Sequence, residues 1–307
     1  MITVLLATYN GEKYLEKQIN SLLSQTYKDF NILIHDDGSS DNTVGIINDY
    51  ITKYPDKISR IDAPATGSSK ANFSLLLSRC DSDYIMFCDQ DDVWFPQKIE
   101  KSFKIIKQAE EDYGKETPIL VHSDLTVTDK NMHTIAHSFF EYQKLNANHS
   151  KLSNLLVQNC ITGCTCIINR ALKEKSGEIP KECAMHDWWL GLVAVMFGKI
   201  IFIDEPLIYY RQHGDNSVGA KNANSLSYVS NKLKRLNQVK ADYLATYVQA
   251  RILRQRFIKE ADGQSQRILN AYCNMSELGK IKKIKLMNKY DFKKNTKLRI
   301  LGQYIIV

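Results

Sequence analysis

The 307 residues contain no run of about 18 apolar residues, so no membrane-spanning helix is expected. Asn10-Gly11 interrupts the first apolar stretch too early for a secretion signal, so no cleaved leader is expected. No G-x-G-x-x-G follows the first strand-like run, which disfavours a dinucleotide oxidoreductase. The seven cysteines lack regular spacing. Cys160, Cys164 and Cys166 cluster without a second pair at zinc spacing, and the latter two fall in a strand-like run, 162–168. They read as buried free thiols in a reducing cytosol. There is no internal repeat and no low-complexity segment. Hydrophobic residues make up 44% and charged residues 24%, which is ordinary for a globular chain. The length allows one substantial core, or one large domain with an extension.

Charge is what the chain has in one place. The net charge is +7, but residues 280–299 hold nine Lys or Arg against Asp291 alone, so the rest is close to neutral. No basic strip interleaved with aromatics occurs elsewhere, which argues against a nucleic-acid partner. In the basic segment the cations alternate with Ile281, Ile284, Leu286, Met287, Leu298, Leu301 and Ile305. Such a mixture suits an anionic membrane surface, or a helix packed on the main domain with a solvated basic face.

Residues 1–125 alternate between strand and helix patterns, which implies a parallel-rich α/β sheet flanked by helices. Strands are expected at 2–7, 32–37, 58–61, 84–88 and 119–124. Helices are expected at 12–24, from Ser40 or Asp41 as cap to 53, up to about 80, and from Pro96 to about 111. Residues 126–160, with His133, His137 and His149, read as an irregular acceptor-side lid. A strand is expected at 162–169, an apolar helix at 187–197 and a strand at 200–203. A helical pattern over 226–275 can form an appendage or the contact of a homodimer. These patterns divide the chain into a domain at 1–220, with halves 1–125 and 126–220, and a helical basic extension at 221–307.

Three early strands end in polar residues: Thr8-Tyr9-Asn10-Gly11, Asp36-Asp37-Gly38-Ser39-Ser40-Asp41 and Asp89-Gln90-Asp91-Asp92. In open parallel sheets ligands bind at such strand ends. A buried strand does not run into three carboxylates without compensation. Asp89 and Asp91 share a face on extended backbone. They suit Mg²⁺ or Mn²⁺ bound to a diphosphate, the alternative being a solvated acidic turn. An aromatic such as Tyr9 can stack on a pyrimidine, and a carboxylate such as Asp37 can accept from the base N3–H.

With His186-Asp187-Trp188 and Tyr209-Tyr210-Arg211-Gln212-His213, these motifs resemble glycosyltransferase family 2, the inverting enzymes of GT-A fold, over about residues 1–220. Asp89-Gln90-Asp91-Asp92-Val93-Trp94 followed by Met185-His186-Asp187-Trp188 is most similar to the rhamnosyltransferase branch, which builds cell-wall and capsular polysaccharides on lipid carriers. The resemblance implies a Rossmann-like sheet, dTDP-β-L-rhamnose as donor, a lipid-linked saccharide acceptor and a cytoplasmic, membrane-peripheral location. Another donor, UDP-N-acetylglucosamine or UDP-galactose, remains open. A non-catalytic sugar-nucleotide-binding scaffold is disfavoured because Asp89, Asp91 and Asp187 are all present.

Residue by residue, the resemblance assigns Thr8, Tyr9, Asn10, Asp37 and Asp89 to the donor. Asp91 becomes the direct metal ligand, with Asp89 near the ribose or metal-bound water, and His213 a metal or diphosphate ligand. Asp187 matches the general base; without the resemblance, a carboxylate there reads as a helix cap. Asp92 supports the loop or meets donor hydroxyls, Arg211 can pair with phosphate, and Trp188 can stack on an acceptor sugar. Lys70 and Asn72 stand where the family often has donor-side groups, although this chain departs from the commonest form there.

Overall fold

The computed structural model describes residues 1–147, 150–213 and 236–307. His149, and the part of the expected helix before residue 236, lie outside them.

The sheet grows outward from its most apolar strand. β1 (Ile2–Thr8) is buried along its whole length because both edges and both faces are covered. β2 (Phe30–Asp36) and β4 (Tyr84–Asp89) flank it in parallel, and β3 (Ile58–Arg60) extends β2. The order continues from β4 through β8 (Ile167–Asn169), β6 (Ile119–Thr128) and β9 (Lys199–Arg211) to the two-residue β5 (Val93–Trp94). β7 (Thr134–Ala136) pairs with β6. Most paired residues lie in parallel registers.

Alternation along the strands supplies two cores. Ile2, Val4 and Leu6 face α1 (Leu15–Leu23) and α4 (Lys98–Tyr113) through Leu15, Ile19, Ile99 and Ile106. Leu5, Ile85 and Phe87 face α3 (Ser69–Arg79) and an apolar helix at His186–Phe197 through Phe73, Leu76 and Trp189. Helices therefore cover both faces of the sheet, as expected for an α/β fold. α2 (Thr43–Lys53) lies between β2 and β3 in the chain. Its cap position is Asn42, which makes no side-chain bond. Asp41 instead accepts from Thr43 N at 3.0 Å.

Within 126–160 the described residues are more ordered than the sequence suggests. β6 continues to Thr128, β7 returns on it, and α5 (Phe139–Gln143) and α6 (Leu152–Leu155) follow. Asp124 organises the turn, accepting from Phe139 N at 3.0 Å and from the Ser138 hydroxyl. The strand expected from residue 162 begins only at Ile167. Residues Gly163–Thr165 form a 3-10 turn instead. After α7 (Arg170–Ser176) comes the apolar helix, α8 (His186–Phe197).

The C-terminal helices are α9 (Leu236–Phe257), α10 (Gly263–Met275), α11 (Lys280–Tyr290) and α12 (Lys297–Ile306). Tyr247, Leu253, Leu269, Tyr272, Met287 and Phe292 join the same apolar cluster as Leu5 and Trp189. The basic segment thus packs on the domain. All seven cysteines are buried free thiols. Among the described residues no helix is long and apolar enough to cross a membrane.

Candidate active site

Strand register brings the motifs together. Thr8 sits opposite Asp36, and Ala7 opposite Asp89, so the ends of β1, β2 and β4 lie at one level. The chain runs from β1 outward to β3 and returns as β4 on the other side of β1, which makes this edge a switch point. A cavity of about 1000 Å³ opens there. Thr8, Tyr9, Asn10, Asp37, Asn72, Asp89, Asp91 and His213 all line it.

His213 arrives from far along the chain. Val93 pairs with Tyr209 and Trp94 with Ile208, so β5 and β9 carry the acidic loop and the Tyr-Arg-Gln-His run side by side. His213 Nε2 then lies 2.6 Å from Asp91 Oδ2. Tyr14 packs on the His213 ring at 4.8 Å, and the Arg211 guanidinium lies over Tyr14 at 4.6 Å. Arg211 is buried. Its Nε donates to the Asp91 carbonyl at 2.8 Å, its Nη1 to the Lys130 carbonyl at 3.1 Å, and its backbone N to Asp92 Oδ1 at 3.2 Å. These bonds tie the guanidinium to the acidic loop and to the turn at Lys130.

Asp92 is fully buried behind that loop, so its place is support. Burial, then the charges of Asp91 and Asp89, push its carboxyl well above the usual range. Asp89 is pushed up by burial first, then by Asp91 and Asp187. Cys164, in the 3-10 turn, lies within 4.8 Å of Asp89 and Asp92. Below them Lys98 is fully buried over the Trp94 ring at 4.2 Å, and burial lowers its ammonium to about 8.

Asp187 is in the first turn of α8, whose cap position is Met185, so it is not the cap itself. It is almost fully buried. Its Oδ2 accepts from Gly163 N at 2.9 Å. Its Oδ1 accepts from Trp188 N at 2.6 Å and Asn159 Nδ2 at 3.2 Å. Burial still lifts the carboxyl to about 6, against these donors. The neighbouring His186 is sandwiched by Phe73 at 4.4 Å and Phe87 at 5.1 Å, and burial lowers it to about 3. A neutral ring at that position adds no charge beside the carboxylates.

Other residues divide between cavity and scaffold. Tyr9 is 57% exposed at the cavity wall. Gln90 clamps its peptide from both sides, accepting from Tyr9 N and donating to Tyr9 O, each at 2.8 Å. Asp36 is absorbed in the turn, accepting from Thr8 Oγ1 at 2.9 Å and Ser39 N at 2.8 Å. Asp37 Oδ1 accepts from Thr66 Oγ1 at 2.8 Å and Gly67 N at 3.2 Å, which leaves Oδ2 without a protein donor among the described residues. Asn72 bridges His35 Nδ1 at 2.9 Å and the His35 carbonyl at 3.2 Å. Lys70 points elsewhere, donating to the carbonyls of Lys181 and, at 2.6 Å, Cys183. Trp188 donates to the Leu155 carbonyl at 2.6 Å and is half-buried.

Sequence reasoning missed Gln90, Asn159, Gly163 and Tyr14. Only Gln90 had a signal: it alternates with Asp89 and Asp91 and so leaves the strand on the opposite side.

The profile described as "Glycosyl transferase family 2" matches residues 3–174. The chain belongs to this family. A dTDP-rhamnosyl transferase, RfbG of Shigella flexneri, is 30% identical over 250 residues, 76% of this chain and 79% of that one. An uncharacterized glycosyltransferase of Nostoc, alr2836, is 29% identical over 253 residues, covering 79% and 75%. S. aureus TarS 1-349 in complex with UDP-GlcNAc superposes with a TM-score of 0.56 at 18% identity, over 94% of this chain and 80% of that one. The mannosyltransferase PcManGT of Pyrobaculum calidifontis, in complex with GDP-Man and Mn2+, gives 0.57 at 13% identity, over 94% and 73%. These likenesses establish a GT-A fold for this family 2 glycosyltransferase.

Proposed function

We propose that this family 2 glycosyltransferase moves L-rhamnose from dTDP-β-L-rhamnose to a hydroxyl of a lipid-linked saccharide, with inversion, in the assembly of a cell-wall or capsular polysaccharide. The observation that carries the transfer chemistry is a cavity lined by Asp89, Asp91 and His213, with the buried Asp187 close enough behind it to raise Asp89. His213 Nε2 meets Asp91 Oδ2 at 2.6 Å, while three N–H donors hold Asp187. The similarity to RfbG supports the rhamnose donor.

Residues 1–125 hold the nucleotide, 126–220 receive the acceptor, and 221–307 are the extension, whose described helices begin at Leu236. The base stacks on Tyr9, whose peptide Gln90 fixes, and the free oxygen of Asp37 accepts from the pyrimidine N3–H. Thr8 and Asn10 complete that wall. Asp91 and His213, with Asp89 in the same cavity lining, would hold Mn²⁺ or Mg²⁺. Asp91 Oδ2 and His213 Nε2 bond to each other at 2.6 Å, and a cation between these groups would offset the burial and the neighbouring charges that raise Asp89. When bound, the ion supplies positive charge where negative charge gathers on the leaving diphosphate.

Asp187 takes the proton from the acceptor hydroxyl as that oxygen bonds to the anomeric carbon. The carbon–phosphate oxygen bond breaks on the opposite side, and its electron pair leaves on the nucleoside diphosphate. A carboxylate near pH 6 is ionised at neutral pH yet basic enough for this step. No second carboxylate is needed as a nucleophile.

The test is nucleoside diphosphate release across a panel of sugar nucleotides, with lipid-linked saccharide present and with Mn²⁺, Mg²⁺ or EDTA. Release from dTDP-rhamnose, abolished by EDTA, is the expected result. Release from UDP-N-acetylglucosamine or UDP-galactose alone overturns the donor assignment.

A further inference from the structure

The outer face of the C-terminal helices has features that transfer chemistry does not use. α11 and α12 are anchored from beneath: Met287 and Phe292 are fully buried, and Gln303 donates to the Phe292 carbonyl at 2.8 Å and to Tyr243 OH at 3.2 Å. With that side of α12 fixed inward, Leu298, Leu301 and Ile305 are left 51%, 57% and 61% exposed. They are spaced i, i+3 and i+7, so they form one stripe, and Lys297 is one turn before Leu301 on the same side. Lys280 Nζ donates to the Ile305 carbonyl at 3.2 Å, which sets the start of α11 beside the end of α12. Ile281, 73% exposed, continues the apolar surface there. Lys280, Lys282, Lys285, Lys289 and Lys297 are all exposed around it.

We propose that this face of α11 and α12 docks on an anionic lipid membrane, with the aliphatic stripe entering the headgroup layer and the lysines meeting lipid phosphates. Charge complementarity selects the occupant. A second copy would bring two strongly cationic segments together. A nucleic acid would leave an aliphatic stripe without bases stacked on aromatics. A lipid surface accepts aliphatic side chains and ammonium groups at once.

The docking face is also tied to the acceptor side of the site. Asn295 N donates to Gln158 Oε1 at 3.0 Å, and Asn154 Nδ2 to the Asp291 carbonyl at 3.1 Å. The residue after Gln158 is Asn159, which donates to Asp187. Docking would hold the proposed base close to the layer that carries a lipid-linked hydroxyl. That purpose rests on the acceptor reading above, but the docking itself is measured without turnover.

Truncating the segment would strip Met287 and Phe292 from the core, so the test uses full-length chains with surface substitutions. Vesicles of phosphatidylcholine alone, or with about one third phosphatidylglycerol, are co-sedimented with the wild type, with Leu301→Gln/Ile305→Gln, and with Lys282→Gln/Lys285→Gln/Lys297→Gln. Melting curves confirm that each variant is folded. The wild type is expected to bind the anionic vesicles at least about tenfold more tightly than the neutral ones. Each variant should lose about tenfold or more of that binding. The proposal is overturned if the wild type ignores anionic vesicles at low salt, or if both folded variants bind as it does. It is equally overturned if Leu301→Gln/Ile305→Gln instead disperses a dimer seen by ultracentrifugation while vesicle binding is unchanged.

Discussion

Replacing Asp187 with Asn removes the proposed base and leaves the shape of the site. The structure sets two magnitudes for this change. General-base catalysis contributes roughly 10²–10⁴-fold, so turnover should fall in that range while donor affinity, measured by calorimetry, stays within about threefold. Wild-type kcat/KM should rise with pH through about 6 as the carboxyl ionises, and the variant's residual rate should lack that limb. The second magnitude is in stability. Burial makes Asp187 easier to protonate when folded, at about 6, than at its ordinary 3.8. Its contribution to stability is therefore full below about pH 4 and is lost as pH rises to about 6, a change of about 3 kcal/mol at 1.36 kcal/mol per pH unit. The Asn amide also faces Gly163 N–H or Asn159, a donor against a donor, which costs about 1–3 kcal/mol at every pH. That fixed cost cancels when the two proteins are compared across pH. Relative to the wild type, Asp187→Asn should gain about 3 kcal/mol in urea unfolding between pH 4 and pH 8. A pH-independent difference, or turnover within about tenfold of wild type, would refute the argument.

Three further substitutions probe the supports of the cavity. His213→Ala should raise the Mn²⁺ concentration needed for half-maximal donor turnover by roughly tenfold or more, read from metal titrations, since a proposed ligand atom beside Asp91 is lost. Gly11→Ala places a methyl group on Gln90 Oε1 and should displace the clamp on Tyr9. Losing its two hydrogen bonds, at about 0.5–1.5 kcal/mol each, should lower stability by about 1–3 kcal/mol in urea unfolding and raise donor KM as Tyr9 loosens. Arg211→Lys cannot reach the Asp91 and Lys130 carbonyls together while lying over Tyr14. It should destabilise the fold by about 2–3 kcal/mol in urea unfolding and weaken metal activation as the Asp91 loop loosens.

What the sequence disclosed was the family and the polar strand ends carried by local order. Strands that end in Thr8, Asp36 and Asp89 are legible because apolar runs stop at polar turns, and parallel pairing then brings those ends to one level. Side-chain direction is set by distant partners and was not legible. Arg211 reads as a phosphate ligand until the carbonyls of Asp91 and Lys130 are seen to claim it. Lys70 reads as a donor-side cation until the carbonyls of Lys181 and Cys183 appear beside it. Cys164 reads as a strand residue, but Asp187 draws Gly163 N–H toward itself and the chain turns there. The turn into α5 is held by Asp124, whose bonds to Ser138 and Phe139 no periodicity reveals.

The measurement closest to the central claim is the anomeric configuration of the product, read by NMR from the coupling at the transferred sugar's C1, using whichever sugar nucleotide the panel shows to be consumed. A single displacement assisted by Asp187 predicts the anomer opposite to the donor's: an α-L-rhamnoside from dTDP-β-L-rhamnose. A product that keeps the donor's configuration would contradict the account, because it requires a second displacement and a nucleophile that this arrangement of carboxylates does not provide.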